Sequence, residues 1–273
     1  MSVIIKTYGG LGNQIFQLAA AYTYAEINNL KLVISTERLS TDRPTYWDSY
    51  LSFFNAYLYN GDITDAVEWI QPGNKSTTFV QIPTKYHNIL LEGYFQSYKY
   101  FAPMADKIRN LFRTPDTSVS ILWNKFGWLL RKREDVVVVH ARRGDYCKSE
   151  GMRNFHGPLD RFYYEHAISR IGKSNTYYLL VSDEPGFWYD VINISPKLQT
   201  GNFHILVDQD ELTTFSLMQQ FRYFIISNSS FSWWAAYLSG TEPKNVIAPA
   251  KWFGPSGLKG WEDIYIPGWI IIE

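Results

Sequence analysis

The sequence predicts an α/β protein built of two Rossmann-like halves, each a parallel sheet flanked by helices. Three observations carry this reading. Short apolar runs alternate with amphipathic stretches of about a dozen residues, the rhythm of βαβ units. Val136-Val137-Val138-Val139 sets four stiff β-branched side chains in a row, as in a strand buried on both faces. Near the amino end, an apolar run leads through a glycine-rich turn straight into a helical pattern. The 273 residues exceed one small core and suit two domains or one large α/β domain.

In chain order, Val3–Thr7 is the first strand, followed by Gly9-Gly10-Leu11-Gly12-Asn13-Gln14. Ile15, Leu18, Ala19 and Tyr22 then fall on one helical face. Strand, glycine turn and helix can bring backbone amides close to a phosphate or sugar, and equally read as a structural tight turn. The glycine spacing matches neither a dinucleotide fingerprint nor a P-loop. Lys31–Ser35 is a second strand, Thr36–Lys85 is irregular, and Ile89–Leu91 is a third. Ser97 caps a helix reaching Phe112, with Pro103 in its early turns. An amphipathic stretch from Val119 to Leu130 ends in Arg131-Lys132-Arg133, a solvated helix end that complements the dipole. The domain boundary is drawn here, dividing 1–133 from 134–273.

The second half alternates more regularly. Strand Val136–Val139 runs into a polar loop through Pro158, then a helix from Asp160 to Ile171. Strand Tyr177–Val181 ends at Ser182-Asp183-Glu184-Pro185, and strand Phe203–Val207 at Asp208. A helix from Asp210 to Arg222 precedes strand Tyr223–Ile226, which enters Ser227-Asn228-Ser229-Ser230 and a helix with Phe231, Trp234, Ala235 and Leu238 on one face. Val246–Ala248 is the last strand.

Lys+Arg and Asp+Glu both total 26. Zero net charge argues against a general nucleic-acid or anionic-membrane binder, which needs a strong positive field, and leaves room only for local basic clusters. The single cysteine, Cys147, precludes an intramolecular disulfide and points to the cytosol. No apolar run approaches a membrane span, and the amino end is broken too early for a secretory signal. A cytoplasmic protein is expected, with peripheral membrane association left open.

In a parallel sheet, His140–Tyr146, Ser182–Glu184 and Ser227–Ser230 would share the carboxyl edge where ligands bind. Each segment alone has a plain reading: surface arginines, a turn, an N-cap. Together they supply two guanidinium groups, a carboxylate able to orient one of them, and hydroxyls with free amides at a helix N-terminus. Those are the groups that neutralise a diphosphate without metal. Alternate residues of an extended segment share a face, so Arg142 is read as the phosphate contact and Arg143 as held structurally by Asp183 or Glu184. The five histidines have no paired metal spacing, Asp208-Gln209-Asp210 is a minority metal reading, and there is no Gly-x-Ser-x-Gly elbow.

Five motifs occur in the order in which the α-1,2-fucosyltransferase family, glycosyltransferase family eleven, carries them. They are Gly9–Gln14, Glu92-Gly93-Tyr94-Phe95-Gln96, His140–Tyr146, Ser182-Asp183-Glu184 and Asn228-Ser229-Ser230-Phe231-Ser232-Trp233-Trp234. The chain resembles that family over nearly its whole length. The resemblance implies a GT-B type fold, two Rossmann-like domains facing across a cleft, with an acceptor-side first domain and a donor-binding second. It implies inverting, metal-independent transfer of L-fucose from GDP-β-L-fucose to a hydroxyl of an oligosaccharide or glycolipid, typically a galactoside, with no cofactor. By that resemblance Arg142 meets the β-phosphate, and Ser229 and Ser230 meet the diphosphate. His140, Arg143, Asp183 and Asn228 complete the donor site, and Gly10, Gly12, Asn13 and Gln14 line the cleft. Asp145 is the first candidate base and Glu150 the second. Thr36–Lys85 would shape the acceptor pocket. One position departs: where relatives carry an aspartate that reads guanine, this chain has Thr214, with Asp210 or Glu211 a turn earlier. A different nucleotide-sugar donor, or a non-catalytic carbohydrate-binding protein, are the rival readings.

Overall fold

The computed structural model describes residues 1–37, 43–61, 63, 66–71, 77–171 and 175–273. Of the irregular segment Thr36–Lys85, residues 38–42, 62, 64–65 and 72–76 therefore lie outside the described residues. By packing, the chain divides into Met1–Phe112 with Leu258–Ile266, and Arg113–Gly257 with Pro267–Glu273. The packing boundary thus falls at 112/113, with a short return of the chain, where the sequence boundary was drawn at 133/134.

The first unit contains β1 (Ser2–Lys6), α1 (Leu11–Ile27), β2 (Lys31–Ser35), β3 (Leu58–Tyr59), β4 (Val67–Ile70), β5 (Asn88–Glu92) and α2 (Ala105–Phe112). Its sheet is parallel throughout, in the order β3-β2-β1-β5-β4. β1 is central, so Val3 and Ile5 are fully buried, and α1 is buried along nearly its whole length. The returning residues are tied in by Asp263, which accepts from the Phe79 N–H and pairs with Lys99 at 2.6 Å. The single helix expected from Ser97 to Phe112 is instead two 3₁₀ turns, Tyr98–Tyr100 and Ala102–Met104, followed by α2. Pro103 has no N–H to continue the first turn and disfavours helical geometry in the residue before it. The two short strands β3 and β4 were invisible in the irregular segment.

The second unit contains α3 (Asp116–Leu130), β6 (Val136–Ala141), α4 (Gly144–Cys147), α5 (Glu150–His156), α6 (Arg161–Arg170), β7 (Tyr177–Ser182), α7 (Phe187–Ile192), α8 (Pro196–Gln199), β8 (Phe203–Ile205), α9 (Glu211–Met218), β9 (Tyr223–Ile225), α10 (Ser230–Leu238), β10 (Val246–Pro249) and β11 (Ile270–Ile272). Its sheet is again parallel, in the order β11-β10-β9-β6-β7-β8. All six residues of β6 are buried. Val137, Val139 and Ala141 face a core of Tyr164, Ile168, Trp188 and Leu180. The chain leaves β6 in one direction through β7 and β8, and returns to its other side at β9. The strand order therefore reverses at β6, the position where open α/β sheets bind ligands.

The expected loop before Pro158 holds two short helices, α4 and α5. Ser149 caps α5 by accepting from the Met152 N–H, and Gly157 ends it in the left-handed region at φ 61. The last carbonyls of α5 are satisfied from the loop after β10: the Gly254 N–H donates to the Phe155 carbonyl at 2.9 Å and the Ser256 N–H to the Asn154 carbonyl at 3.0 Å. This contact is backbone against backbone. A Cβ on Gly157 would lie 2.8 Å from the Gly254 main chain, and one on Gly254 would strike the Asn154 carbonyl.

Gly254→Ala should therefore lower stability by about 2–3 kcal/mol in urea unfolding, because neither backbone can yield. Gly186→Ala, where an added Cβ meets nothing within 4 Å, should stay within about 0.5 kcal/mol of wild type.

Candidate active site

Three neighbouring strands of the second unit deliver the site. The register pairs Ala141 with Ser182 across β6 and β7, and Val139 with Ile225 across β6 and β9. Arg142–Tyr146, Ser182–Glu184 and Ser227–Ser230 thus leave the same edge of the sheet side by side.

Arg142 is gripped by two carboxylates. One guanidinium nitrogen lies 2.7 Å from Asp145 Oδ1 and another 3.0 Å from Asp183 Oδ2, with the side chain about a quarter exposed. Burial works against its charge, but the two carboxylates prevail and raise its pKa further. Asp183 uses its second oxygen to accept from the Arg143 backbone N–H at 2.8 Å. Gly144 makes this possible, since a Cβ there would sit 2.7 Å from Asp183 Oδ2. A guanidinium has five donors. Two carboxylates fix its plane without using them all, so it remains able to meet an anion.

Arg143 is held differently. It donates to the Leu159 carbonyl at 3.0 Å, lies 4.3 Å from the Phe187 ring centre, and has Glu184 4.0 Å away. The structure places it in the protein's own framework.

His140 is buried beside the first turn of α10. Its Nδ1 is 2.9 Å from Ser227 Oγ, and its ring lies 5.5 Å from that of Phe231. Burial, then the neighbouring Arg142 charge, push its pKa down to about 3. It is a neutral buttress and contributes no positive charge to the site. Ser229 caps α10 by accepting from the Phe231 N–H at 3.4 Å, and Ser230 is the first helical residue. The N-terminal amides of α10 are accordingly presented at the strand edge.

Asn228 is buried and turned inward. Its side-chain amide donates to the carbonyls of His156 (2.6 Å), Gly157 (3.2 Å) and Trp252 (3.1 Å). Its backbone carbonyl accepts from the Tyr146 hydroxyl at 3.3 Å. It ties α4, α5 and the loop after β10 to the start of α10. Above this knot the Tyr146 and His156 rings stack at 4.0 Å and 6°. Burial lowers the His156 pKa, with Asp145 acting in the opposite sense and Arg142 in the same one. The sequence reading set His156 aside as one of five scattered histidines. No local signal marks it, because only the packing of α4 on α5 brings it to Tyr146. Glu150 is the exposed first residue of α5, where an acid complements the helix dipole.

In the first unit, Gly9 turns the chain at φ 78 and Gly10 caps α1 with open space beside it. Gly12 and Gln14 are buried, and Gln14 locks the turn by donating to the carbonyls of Gly9 (2.8 Å) and Pro44 (2.7 Å). Asn13 is partly exposed and accepts from the Gln96 amide at 2.8 Å, joining the turn after β1 to that after β5. Tyr8 and Tyr94 meet edge to face at the same two strand ends. Of the four residues expected to line a cleft, Gly10 and Asn13 reach the surface and Gly12 and Gln14 do not.

Thr214 is half-buried in the first turn of α9. Asp210, its proposed substitute, is engaged as the helix cap, accepting from the Thr213 N–H (2.8 Å) and Oγ1 (2.6 Å). Burial raises its pKa, but these bonds outweigh that and lower it overall. Among the described residues, no group of three or more His, Cys, Asp and Glu is arranged to hold a metal ion.

A family model described as glycosyl transferase family 11 matches residues 2–273. An α-1,2-colitosyltransferase of Escherichia coli is 26% identical over 100% of both chains. The O-antigen biosynthesis glycosyltransferase WbnK, also of Escherichia coli, is 25% identical over 90% of this chain and 93% of that one. In fold, the chain is similar to the NodZ α-1,6-fucosyltransferase co-crystallized with GDP, with a TM-score of 0.53, 11% identity, and coverage of 89% of this chain and 93% of that one.

The burial of neutral His140 has a consequence in acid. The unfolded side chain takes a proton near pH 6.5 and the folded one near pH 3, so protons favour the unfolded state between those values. Its contribution is present above pH 6.5 and lost as pH falls, at up to about 1.4 kcal/mol per pH unit. Urea unfolding between pH 7 and pH 4 should show this slope, and His140→Gln should be measurably flatter.

Proposed function

The chain belongs to glycosyl transferase family 11, and on that footing we propose that it transfers L-fucose, with inversion, from GDP-β-L-fucose to a sugar hydroxyl, forming an α-1,2 linkage, typically on a galactoside. The observation that carries this reading is the Arg142 clamp at the point where the strand order reverses, with the N-terminus of α10 beside it on the neighbouring strand. A guanidinium and a helix N-terminus are suited to a diphosphate leaving group. They supply their charge without a metal ion, and no cofactor is invoked.

The reaction is a single displacement. The acceptor oxygen forms its bond to the anomeric carbon as the bond from that carbon to the β-phosphate oxygen breaks, and the electron pair leaves with GDP. Arg142 and the α10 amides meet the charge growing on the diphosphate, where preorganised donors have their largest effect. The acceptor proton passes to a carboxylate. An oxygen of Asp145 is already committed to Arg142 at 2.7 Å, which makes this side chain part of the clamp. The reading therefore gives the proton to the second candidate, Glu150, whose side chain is exposed at the start of α5.

A second donor is favoured by one observation: the relative aligned over the whole of both chains is named a colitosyltransferase. Colitose is L-fucose lacking one ring hydroxyl, so both donors would present the same diphosphate to Arg142. A similarity to an O-antigen biosynthesis enzyme supports a surface-polysaccharide acceptor.

Calorimetry with GDP, UDP, ADP and CMP in EDTA should show binding of GDP alone; tight UDP binding without GDP binding would overturn the guanine donor. Arg142→Ala should weaken GDP binding by about 30- to 100-fold, the loss of a charge-assisted contact. Asp145→Asn should impair GDP binding and turnover together. Glu150→Gln should reduce turnover by at least about a hundredfold with GDP binding retained. Turnover of GDP-fucose against GDP-colitose decides the sugar.

A further inference from the structure

The Arg142 clamp lies where the strand order of the second sheet reverses, and the first sheet has a reversal point of its own. From β1 the chain goes to one side through β2 and β3, then supplies β4 and β5 on the other side. Ile5 of β1 is in register with Leu91 of β5, so the turns after these strands leave the same edge side by side. Each turn carries a tyrosine two residues past its strand, Tyr8 and Tyr94. Both are half-buried, and their rings meet at 4.7 Å and 60°. Buried glutamines hold both turns: Gln17 accepts from the Tyr8 N–H at 3.1 Å, and Gln71 from the Phe95 N–H at 2.8 Å. Among the described residues neither phenol hydroxyl is hydrogen-bonded. The Asn13 and Gln96 amides join the same two turns, and Gly10 has open space where a Cβ would be. No lysine or arginine lies between Thr7 and Gln17 or between Glu92 and Tyr98, and Lys6, ahead of the first turn, is paired with Glu37 at 2.7 Å.

We propose that Tyr8 and Tyr94 form the acceptor subsite and hold the galactoside ring whose hydroxyl receives the fucose, an assignment that rests on the transfer proposed above. An aromatic face is negative and attracts the positive C–H bonds of a sugar. In β-galactose the axial hydroxyl at C4 leaves the C–H bonds of C3, C4 and C5 together on one face. Stacking through that face leaves the hydroxyl at C2 at the ring edge, where an α-1,2 linkage needs it. Phenol hydroxyls and side-chain amides offer donors and acceptors to the remaining sugar hydroxyls. Burial, then Tyr94 and Glu92, raise the Tyr8 pKa, and burial raises that of Tyr94, so both phenols keep their protons. A nucleotide phosphate would call for a cation, and neither turn supplies one. The edge-to-face contact and the two glutamines set the rings before the sugar arrives, so little side-chain freedom is lost on binding.

With lactose as acceptor and GDP-fucose as donor, Tyr8→Leu and Tyr94→Leu, which keep apolar volume and remove the ring, should each raise the lactose KM by at least about tenfold. Calorimetric affinity for GDP should not change. Tyr8→Phe and Tyr94→Phe keep the ring and should raise the lactose KM by only about two- to fourfold. Saturation-transfer NMR with methyl β-galactoside, with and without GDP, should show the protons on C3, C4 and C5 receiving more saturation than that on C2, and both leucine variants should lose the signal. The NMR pattern needs no turnover, so it survives a failure of the GDP-fucose reading, which GDP calorimetry tests alone. It is read on the wild-type chain, so it also decides the matter where a leucine variant does not fold. A wild-type lactose KM in the folded leucine variants, or a loss of GDP affinity in them, would overturn the proposal. So would the absence of saturation transfer from the wild-type chain in both conditions.

Discussion

Everything in the second unit converges on one guanidinium. Arg142 leaves the carboxyl end of a strand buried on every residue and is fixed by Asp145 on its own loop and by Asp183 from the next strand. A free arginine side chain has many rotamers and would lose that freedom on meeting an anion. Held by two carboxylates, it has already lost it. The arrangement needs Asp183 within reach, which needs Gly144 to have no side chain, and it needs β6 and β7 in register, which the two buried parallel strands enforce.

A second constraint is the knot at Asn228. One buried amide holds three carbonyls from two separate segments, and two glycines let those segments touch through their main chains. The loop carrying Asp145, Tyr146 and Glu150 is therefore anchored at its far end as well as at its strand. Anchoring at both ends is what allows a loop to hold its side chains in a fixed geometry. In this light Asn228 and His140 act behind the site, one by tying it down and the other by filling the space under the first turn of α10.

Much of this was legible beforehand. Four consecutive valines announced a doubly buried strand, and the alternation of apolar runs with helical periods announced parallel sheets in both halves, while the GT-B type was implied by the family resemblance. The adjacency of the three strand ends followed from that topology. Less legible were the parts set by short elements. α4 and α5 are too short to show a helical period, although Ser149 and Gly157 carried cap signals. β3 and β4 are two and four residues long and mostly exposed, so no hydrophobic pattern marks them. Pro103 was tolerated on paper within a helix that the structure breaks there. Val246–Ala248 reads as the last strand in the sequence, but β11 follows it, three residues at a sheet edge with Ile270 and Ile271 exposed, too short to show a period.

By itself the sequence determined the α/β class, the buried central strand, the motif set of the family and the presence of arginines and a capped helix at one sheet edge. These are local or periodic properties, written in consecutive residues. Which way each polar side chain points was decided only by tertiary structure. Asn228 and Gln14 looked like ligand contacts and are internal ties; His156 looked incidental and stacks on Tyr146; Asp145 shares its charge with Arg142. Such choices depend on groups many residues apart competing for the same donors and acceptors, and a buried polar atom takes the partner that packing puts within about 3 Å of it.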